Sequence, residues 1–144
     1  RKESSAASDV YKRQLLAAGV PVAFGHDCVM DPWYSLGSGD MLEVAHMGLH
    51  VAQMTGQDAM RACFEAVTTT PAKILGLDDT GIAVGKRADL VLLQARDAVE
   101  ALRLRATRLM VLRAGNVIAT TPPATATLNL PGRPGQVSFQ TPAR

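Results

Sequence analysis

The fold class follows from sixteen consecutive residues: Gly19-Val20-Pro21-Val22-Ala23-Phe24-Gly25-His26-Asp27-Cys28-Val29-Met30-Asp31-Pro32-Trp33-Tyr34. Residues 19–24 are apolar and predict a short buried strand, and His26 and Asp27 follow it directly. An imidazole and a carboxylate therefore lie at the carboxyl end of a strand, where α/β folds place their chemistry. The only tryptophan, Trp33, comes soon afterwards, behind a predicted Asp-Pro turn. Acid, imidazole and flat apolar surface in one loop are typical of a site for a polar, planar substrate.

The composition narrows the class of protein around this loop. The chain has 144 residues, 47% of them hydrophobic and 19% charged, which is typical of one globular domain. A net charge of +2 without a basic block, and only 4% aromatic residues, argue against a nucleic-acid partner. The two cysteines, Cys28 and Cys63, form no metal-binding pair and predict reduced thiols. No apolar run approaches the ~20 residues of a membrane span, so we predict a cytoplasmic protein.

Three helices are predicted after the loop. Asp40 is a candidate N-cap, with Glu43 three residues on, for a helix that runs to about Thr55. Residues 57–67 repeat apolar side chains at helical spacing, and a short helix from Thr70 to Leu75 has Pro71 at its first position. The order of strand, loop and helices indicates the last βα unit of a larger α/β protein.

The pattern changes after Leu77. Residues 88–93, 109–113 and 117–119 are strand-like, and a tight turn at 114–116 makes the last two a hairpin. From Thr121 onward, Pro, Thr and Gly predict an irregular tail. Residues 1–14 are polar and without period, and we interpret them as a non-native cloning adapter or a disordered arm. The predicted domains are therefore 1–14, 15–77 and 78–144.

The candidate site residues each have a purely structural interpretation as well. Asp27 can serve the turn, or act as an oxygen ligand of a divalent metal or as a general base. His26 is predicted to be neutral and bonded to backbone, and Cys28 to be a small apolar filler. His46 and His50 share a helix face, but no third ligand and no glutamate accompany them, which favours a structural role.

Two longer patterns resemble a known family. Residues 25–37 (GHDCVMDPWYSLG) followed by 41–50 (MLEVAHMGLH) closely resemble bacterial cytosine deaminases of the amidohydrolase superfamily. Residues 70–77 (TPAKILGL) and 81–91 (GIAVGKRADLV) are similar to a pattern of the wider superfamily, near the point where the chain leaves the barrel. The resemblance covers residues 15–120, and its most specific part is the motif around Asp27.

The resemblance implies a metal-dependent (β/α)8 barrel of the TIM type with a small appended β-sandwich. It implies that Asp27 binds the metal, iron or zinc, and moves a proton from the attacking water to the departing amine. A metal lowers the pKa of bound water to about 7, and the resulting hydroxide attacks the ring carbon so that ammonia leaves. It also implies that Trp33 packs against the base. Cys28 stands where the family has a second aspartate lining the pocket, which leaves the substrate open.

The other ligands of that family have no counterpart in these residues. A catalytic metal site needs about three protein ligands, and Asp27 supplies one. We therefore expect a C-terminal fragment of a hydrolase that acts on a small heterocycle, inactive alone, without tightly bound metal, from a homo-oligomeric enzyme. Two alternatives stay open: an amidohydrolase acting on another cyclic C–N bond, and a non-catalytic α/β interaction module.

Overall fold

The computed structural model of the chain describes residues 11 and 14–140. It confirms mixed helix and strand content, as the predicted α/β class requires. The labelled elements are α1 (Met41–Val51), α2 (Gln57–Glu65), α3 (Thr69–Ile74), β1 (Leu90–Leu93), α4 (Ala98–Leu104), β2 (Arg108–Arg113), β3 (Asn116–Thr120), β4 (Ala126–Thr127) and β5 (Gln136–Val137). The chain forms two compact units, Arg1–Asp78 and Asp79–Arg144. Within the described ranges, every helix is too short or too polar to cross a lipid bilayer.

The first unit opens with a helical turn and an irregular segment. Residues 14–17 are helical, and Gly19 ends the turn with a φ of +74°. Of the predicted leader, only Tyr11 and Gln14 are described, and both are helical; the rest of that prediction lies outside the described residues. The strand predicted at 19–24 is wrong as a paired strand, because no described segment pairs with it. A strand is defined by the hydrogen bonds of a neighbour, and apolar pattern alone cannot supply one.

Helix α1 begins where the sequence predicts. The Asp40 carboxylate accepts the backbone N–H of Leu42 at 2.9 Å, which satisfies a donor that the first turn leaves free. The Glu43 carboxylate accepts the hydroxyl of Ser38 at 2.9 Å. The helix ends at Val51 rather than Thr55, because Gln53 adopts a left-handed backbone with a φ of +52°. The expected cap residue is therefore confirmed, whereas the length was overestimated.

The core of the first unit lies between α1 and α2, with seven buried apolar side chains: Leu42, Ala45, Leu49, Ala52, Met54, Cys63 and Ala66. Cys63 is fully buried, and burial raises the pKa of its thiol to about 11. The short α3 starts at Thr69, so Pro71 occupies its third position rather than its first. Gly76, with a φ of +66°, follows its C-terminal end.

The second unit is built on an antiparallel sheet in the order β1-β2-β3. Strands β2 and β3 pair with Arg113 opposite Asn116, so the predicted hairpin is present. Its turn has positive φ at Ala114 (+48°) and Gly115 (+79°), the combination that matches the twist of paired strands. The β2–β3 hairpin therefore depends on a turn that can be recognised in the sequence.

Helix α4 was not predicted. Asp97 accepts the backbone N–H of Glu100 at 2.9 Å, and Glu100 in turn accepts the N–H of Arg96 at 2.8 Å. This reciprocal capping pattern was present in the sequence and would have indicated a helix start. Along the chain, this helix lies between β1 and β2.

The tail from Thr121 is more ordered than predicted. Strands β4 and β5 pair antiparallel, and the side chain of Gln94 holds the chain just before them. Its amide accepts the N–H of Ala124 at 2.8 Å and donates to the carbonyl of Ala124 at 2.9 Å. The backbone carbonyl of Gln94 also accepts the side-chain amide of Gln140 at 2.9 Å. A single glutamine therefore holds a segment that its composition predicts to be irregular.

Candidate functional site

Phe24 holds the segment before the candidate site against the helices of the first unit. Its backbone N–H donates to the carbonyl of Ala66 at 2.9 Å, at the C-terminal end of α2. Its ring lies on Gly48 of α1, where an added Cβ would come within 2.6 Å of ring atom Cε2. Only glycine permits this approach without movement of the ring. The loop that starts at Gly25 therefore leaves from a position set by two helices.

Asp27 lies at the centre of a very tight turn. The N–H of Cys28 donates to the carbonyl of His26 at 2.9 Å, and Asp27 between them has a φ of +66°. This three-residue γ-turn is a strained conformation, which aspartate tolerates better than most residues. The Asp27 side chain is exposed and makes no hydrogen bond or ion pair with another described residue. The turn therefore presents a free carboxylate to solvent.

Cys28 is half-buried, and its thiol interacts with the carboxylate of Asp31. That interaction, then burial and the nearby charge of Asp27, raise the pKa of the Cys28 thiol. A raised pKa keeps the sulfur protonated at neutral pH, so it is a poor nucleophile. The interaction with the Asp31 carboxylate differs from the apolar packing predicted for Cys28.

His26 occupies the inside of the loop. Its Nε2 atom is buried and has no hydrogen-bond partner among the described residues. The backbone bond predicted for this imidazole is therefore not made by Nε2. A Cβ added at Gly37 would lie 3.7 Å from His26 Nδ1, so the imidazole lies directly beneath Gly37 at the other end of the loop.

Asp31 is the most heavily bonded side chain of the loop, and the sequence analysis assigned it only a turn. Its Oδ1 accepts the N–H of Trp33 at 2.9 Å and the N–H of Tyr34 at 3.0 Å. The bond from Trp33 is the leading cause that lowers the pKa of the Asp31 carboxyl, and Cys28 contributes in the same direction. The Asp-Pro dipeptide could have indicated this role, because an aspartate side chain bonds readily to backbone two residues on.

Trp33 projects from the tip of the loop. It is 85% exposed, which is unusual for the largest apolar side chain. The neighbouring Tyr34 and Met30 are also exposed. The loop therefore carries exposed apolar side chains near its tip and the exposed carboxylate of Asp27 at its start.

Among the described residues, the candidate metal ligand Asp27 is not accompanied by a complete set of ligands. The free carboxylate of Asp27 is a hard oxygen donor that fits Zn²⁺ or Fe²⁺. Among residues 11 and 14–140, no group of three or more His, Cys, Asp or Glu side chains is arranged to bind a metal. The rings of His46 and His50 meet edge to face with centroids 4.7 Å apart. They belong to no such group of three among the described residues.

The comparisons with known proteins agree with this geometry. A sequence profile described as "Amidohydrolase family" matches residues 10–119. A pterin deaminase of Rhizobium rhizogenes is 42% identical over 106 residues, which cover 73% of this chain and 24% of that protein. An N-isopropylammelide isopropyl amidohydrolase of Pseudomonas is 31% identical over 106 residues, covering 73% of this chain and 26% of that protein.

A solved structure is similar over a still larger part of the chain. The 5-methylcytosine deaminase of Klebsiella pneumoniae, bound to phosphonocytosine, aligns with a TM-score of 0.74 and 37% identity. The alignment covers 83% of this chain and 28% of that one. The chain thus spans about a quarter of the length of the relatives that it matches. The matched region contains the whole loop around Asp27, and the chain belongs to the amidohydrolase family.

Proposed function

We propose that the chain forms part of a metal-dependent amidohydrolase that hydrolytically deaminates a nucleobase-like heterocycle. The observation that carries the proposal is the free carboxylate of Asp27, held in a strained turn at the end of a segment that two helices position. Strain of this kind is typical of functional sites. The loop lies inside the part of the chain that matches the amidohydrolase family.

Three residues of the loop have proposed roles. Asp27 is one oxygen ligand of the metal and the base that takes a proton from the attacking water and returns it to the departing amine. Trp33 is the wall against which the planar ring packs, supported by its exposure. Cys28 lines the same corner as a neutral thiol whose proton is directed to Asp31.

The metal supplies a water of lowered pKa when it is bound. Asp27 is the one metal ligand that we propose among the described residues. We therefore propose that the remaining metal ligands come from residues outside this chain. The relatives, of which this chain spans 24% to 28%, are long enough to contain them. In that enzyme, residues 15–77 complete a (β/α)8 barrel, and residues 78–144 contribute to a small β-sandwich.

The substrate class is a nitrogen heterocycle. The relatives are named for pterin, 5-methylcytosine and N-isopropylammelide, all small planar rings. A neutral thiol at Cys28 offers a weak hydrogen-bond acceptor, so we propose a ring that presents little positive charge to this corner. We propose cytosine as the leading substrate. We also propose that the enzyme is cytoplasmic and homo-oligomeric.

One observation favours a second candidate. The Pseudomonas relative is named as an isopropyl amidohydrolase, so a family member at 31% identity acts on a different C–N bond of a ring. An enzyme of that kind would release an alkylamine instead of ammonia. The same site would serve both reactions, and the leaving group distinguishes them.

The test uses the enzyme expressed from its complete reading frame. We expect it to release ammonia from cytosine, and Asp27→Asn to lower kcat by about 10²–10⁴-fold, the range for loss of a positioned acid–base group. Asp58→Asn is the matched control, since the carboxylate of Asp58 is fully exposed and forms an ion pair with Arg61. Alkylamine release from an N-alkylated ring, without ammonia from cytosine, would select the second candidate. Full activity in Asp27→Asn would contradict both.

A further inference from the structure

The loop that carries Trp33 is closed by its own backbone. The N–H of Tyr34 donates to the carbonyl of Asp31 at 3.2 Å, and the N–H of Asp31 donates to the carbonyl of Tyr34 at 3.1 Å. Further out, the N–H of Met30 donates to the carbonyl of Leu36 at 3.1 Å. These bonds form a small hairpin whose two central residues are Pro32 and Trp33.

The side chain of Asp31 adds a second layer of bonds inside this hairpin. One carboxylate oxygen accepts two consecutive N–H groups, those of Trp33 and Tyr34, at 2.9 and 3.0 Å. A bond from a backbone N–H to a charged carboxylate is about twice as strong as one to a neutral acceptor. Asp31 therefore joins its own end of the hairpin to the two residues that follow Pro32.

The indole itself has little else to hold it. With 85% of its surface exposed, Trp33 is not positioned by packing. Its backbone orientation is instead set by the bonds to Asp31 and by the restricted φ of Pro32. Loss of the hydrogen bonds to Asp31 would therefore change the direction of the indole.

We propose that Asp31 is a positioning residue that fixes the direction of Trp33 through its carboxylate, and so determines how the aromatic wall meets a planar substrate. The role in binding rests on the proposed function, whereas the effect on the loop does not. Asp31 itself touches no reacting atom in this scheme. The proposed function uses Asp31 only as the partner of the Cys28 thiol.

The first experiment needs no substrate. Trp33 is the only tryptophan of the 144 residues, so the fluorescence anisotropy of this chain reports on the loop directly. We expect Asp31→Ala to lower the anisotropy relative to the unchanged chain, because the indole gains motion on the nanosecond scale. Asp31→Asn keeps an oxygen that can accept the same N–H groups, and it should restore most of the anisotropy.

The matched control is Asp97→Ala in the second unit. Asp97 also accepts a backbone N–H, that of Glu100 at 2.9 Å, but it has no bond to the loop. It should leave the anisotropy unchanged, and far-UV circular dichroism should show that all variants are folded. Unchanged anisotropy in Asp31→Ala, or equal losses in Asp31→Ala and Asp31→Asn, would overturn the proposal.

The second experiment uses the complete enzyme with cytosine. We expect Asp31→Ala to raise KM about three- to tenfold, the range of one lost aromatic stacking contact, with kcat nearly unchanged. Asp31→Asn should recover KM. Reduced anisotropy with an unchanged KM would refute Trp33 as the substrate wall while leaving the loop assignment intact. A fall in kcat with constant KM would overturn the positioning role, since it would place Asp31 in the chemistry.

Discussion

Gly48 determines how closely the segment before the loop approaches helix α1. The ring of Phe24 occupies the space that any side chain at position 48 would need, with Cε2 and Cδ2 at 2.6 and 2.8 Å from an added Cβ. The sequence could place Asp27 after an apolar segment, since both features are local. It could not predict this contact, because it joins residues 24 positions apart in the chain.

At this scale we predict that Gly48→Ala destabilises the first unit. Alanine favours a helix by about 1 kcal/mol over glycine, whereas overpacking costs about 1–3 kcal/mol. The net loss should lower the urea midpoint. The same substitution made in a Phe24→Ala background should raise the midpoint, since the obstructing ring is gone. An identical effect of Gly48→Ala in both backgrounds would show that the ring is not the cause.

At the scale of elements, local signals account for most of the elements that were predicted. Helix α1 was recognised through Asp40, and the β2–β3 hairpin through the turn at Gly115. The predicted strand at 19–24 lacks a described partner, and pairing is a non-local property. The capped helix α4 was missed although its signal, Asp97 followed by Glu100, is local. In the candidate site, likewise, the sequence indicated Asp27 but not the bonds that Asp31 makes.

Asp89, just before β1, bonds to the turn between β2 and β3 and makes the stability of this sheet sensitive to acid. Its carboxylate accepts the N–H of Ala114 at 2.7 Å and lies 2.8 and 3.3 Å from Arg87 and Arg113. The bond from Ala114, followed by the two guanidinium charges, lowers the pKa of Asp89 below its ordinary value of 3.8. A lowered folded pKa means that the stabilisation is complete above the unfolded value and is lost as the pH falls through the folded one.

We therefore predict that Asp89→Asn lowers the urea midpoint of the second unit at neutral pH and has a progressively smaller effect as the pH falls below the ordinary aspartate value of 3.8. In acid the original carboxyl is protonated, so both proteins lack the charge. Circular dichroism at neutral and acid pH gives the midpoints, and Asp58→Asn serves as the control with an exposed carboxylate. A difference between Asp89→Asn and the original chain that does not change with pH would exclude the charge as its source.

At the scale of the whole molecule, the chain carries much exposed apolar surface for the size of its cores. In the second unit the buried apolar side chains of the described residues are Ala101, Leu102 and Ala106. Ile82 and Val84, by contrast, are 93% and 106% exposed. Exposed apolar surface of this kind favours association.

We predict that replacing both Ile82 and Val84 with serine reduces binding of a hydrophobic dye and self-association. The free energy of unfolding should change by less than about 0.5 kcal/mol, because neither side chain loses buried contacts. Leu102→Ser is the matched control at a buried site, where removal of the apolar side chain costs about 2–5 kcal/mol. Dye binding, gel filtration and urea denaturation measure the three quantities. Loss of stability in the double variant equal to that of Leu102→Ser would contradict the exposure of the two residues.

The γ-turn at Asp27 restricts which residues can replace this aspartate during evolution. A φ of +66° is strained for every residue except glycine, but aspartate and asparagine tolerate it better than β-branched residues do. The requirement for a residue that tolerates a positive φ at position 27 therefore persists after selection for activity ends. In descendants that have lost catalysis, we expect position 27 to drift first to asparagine or glycine, so the turn would survive as a trace of an abandoned site.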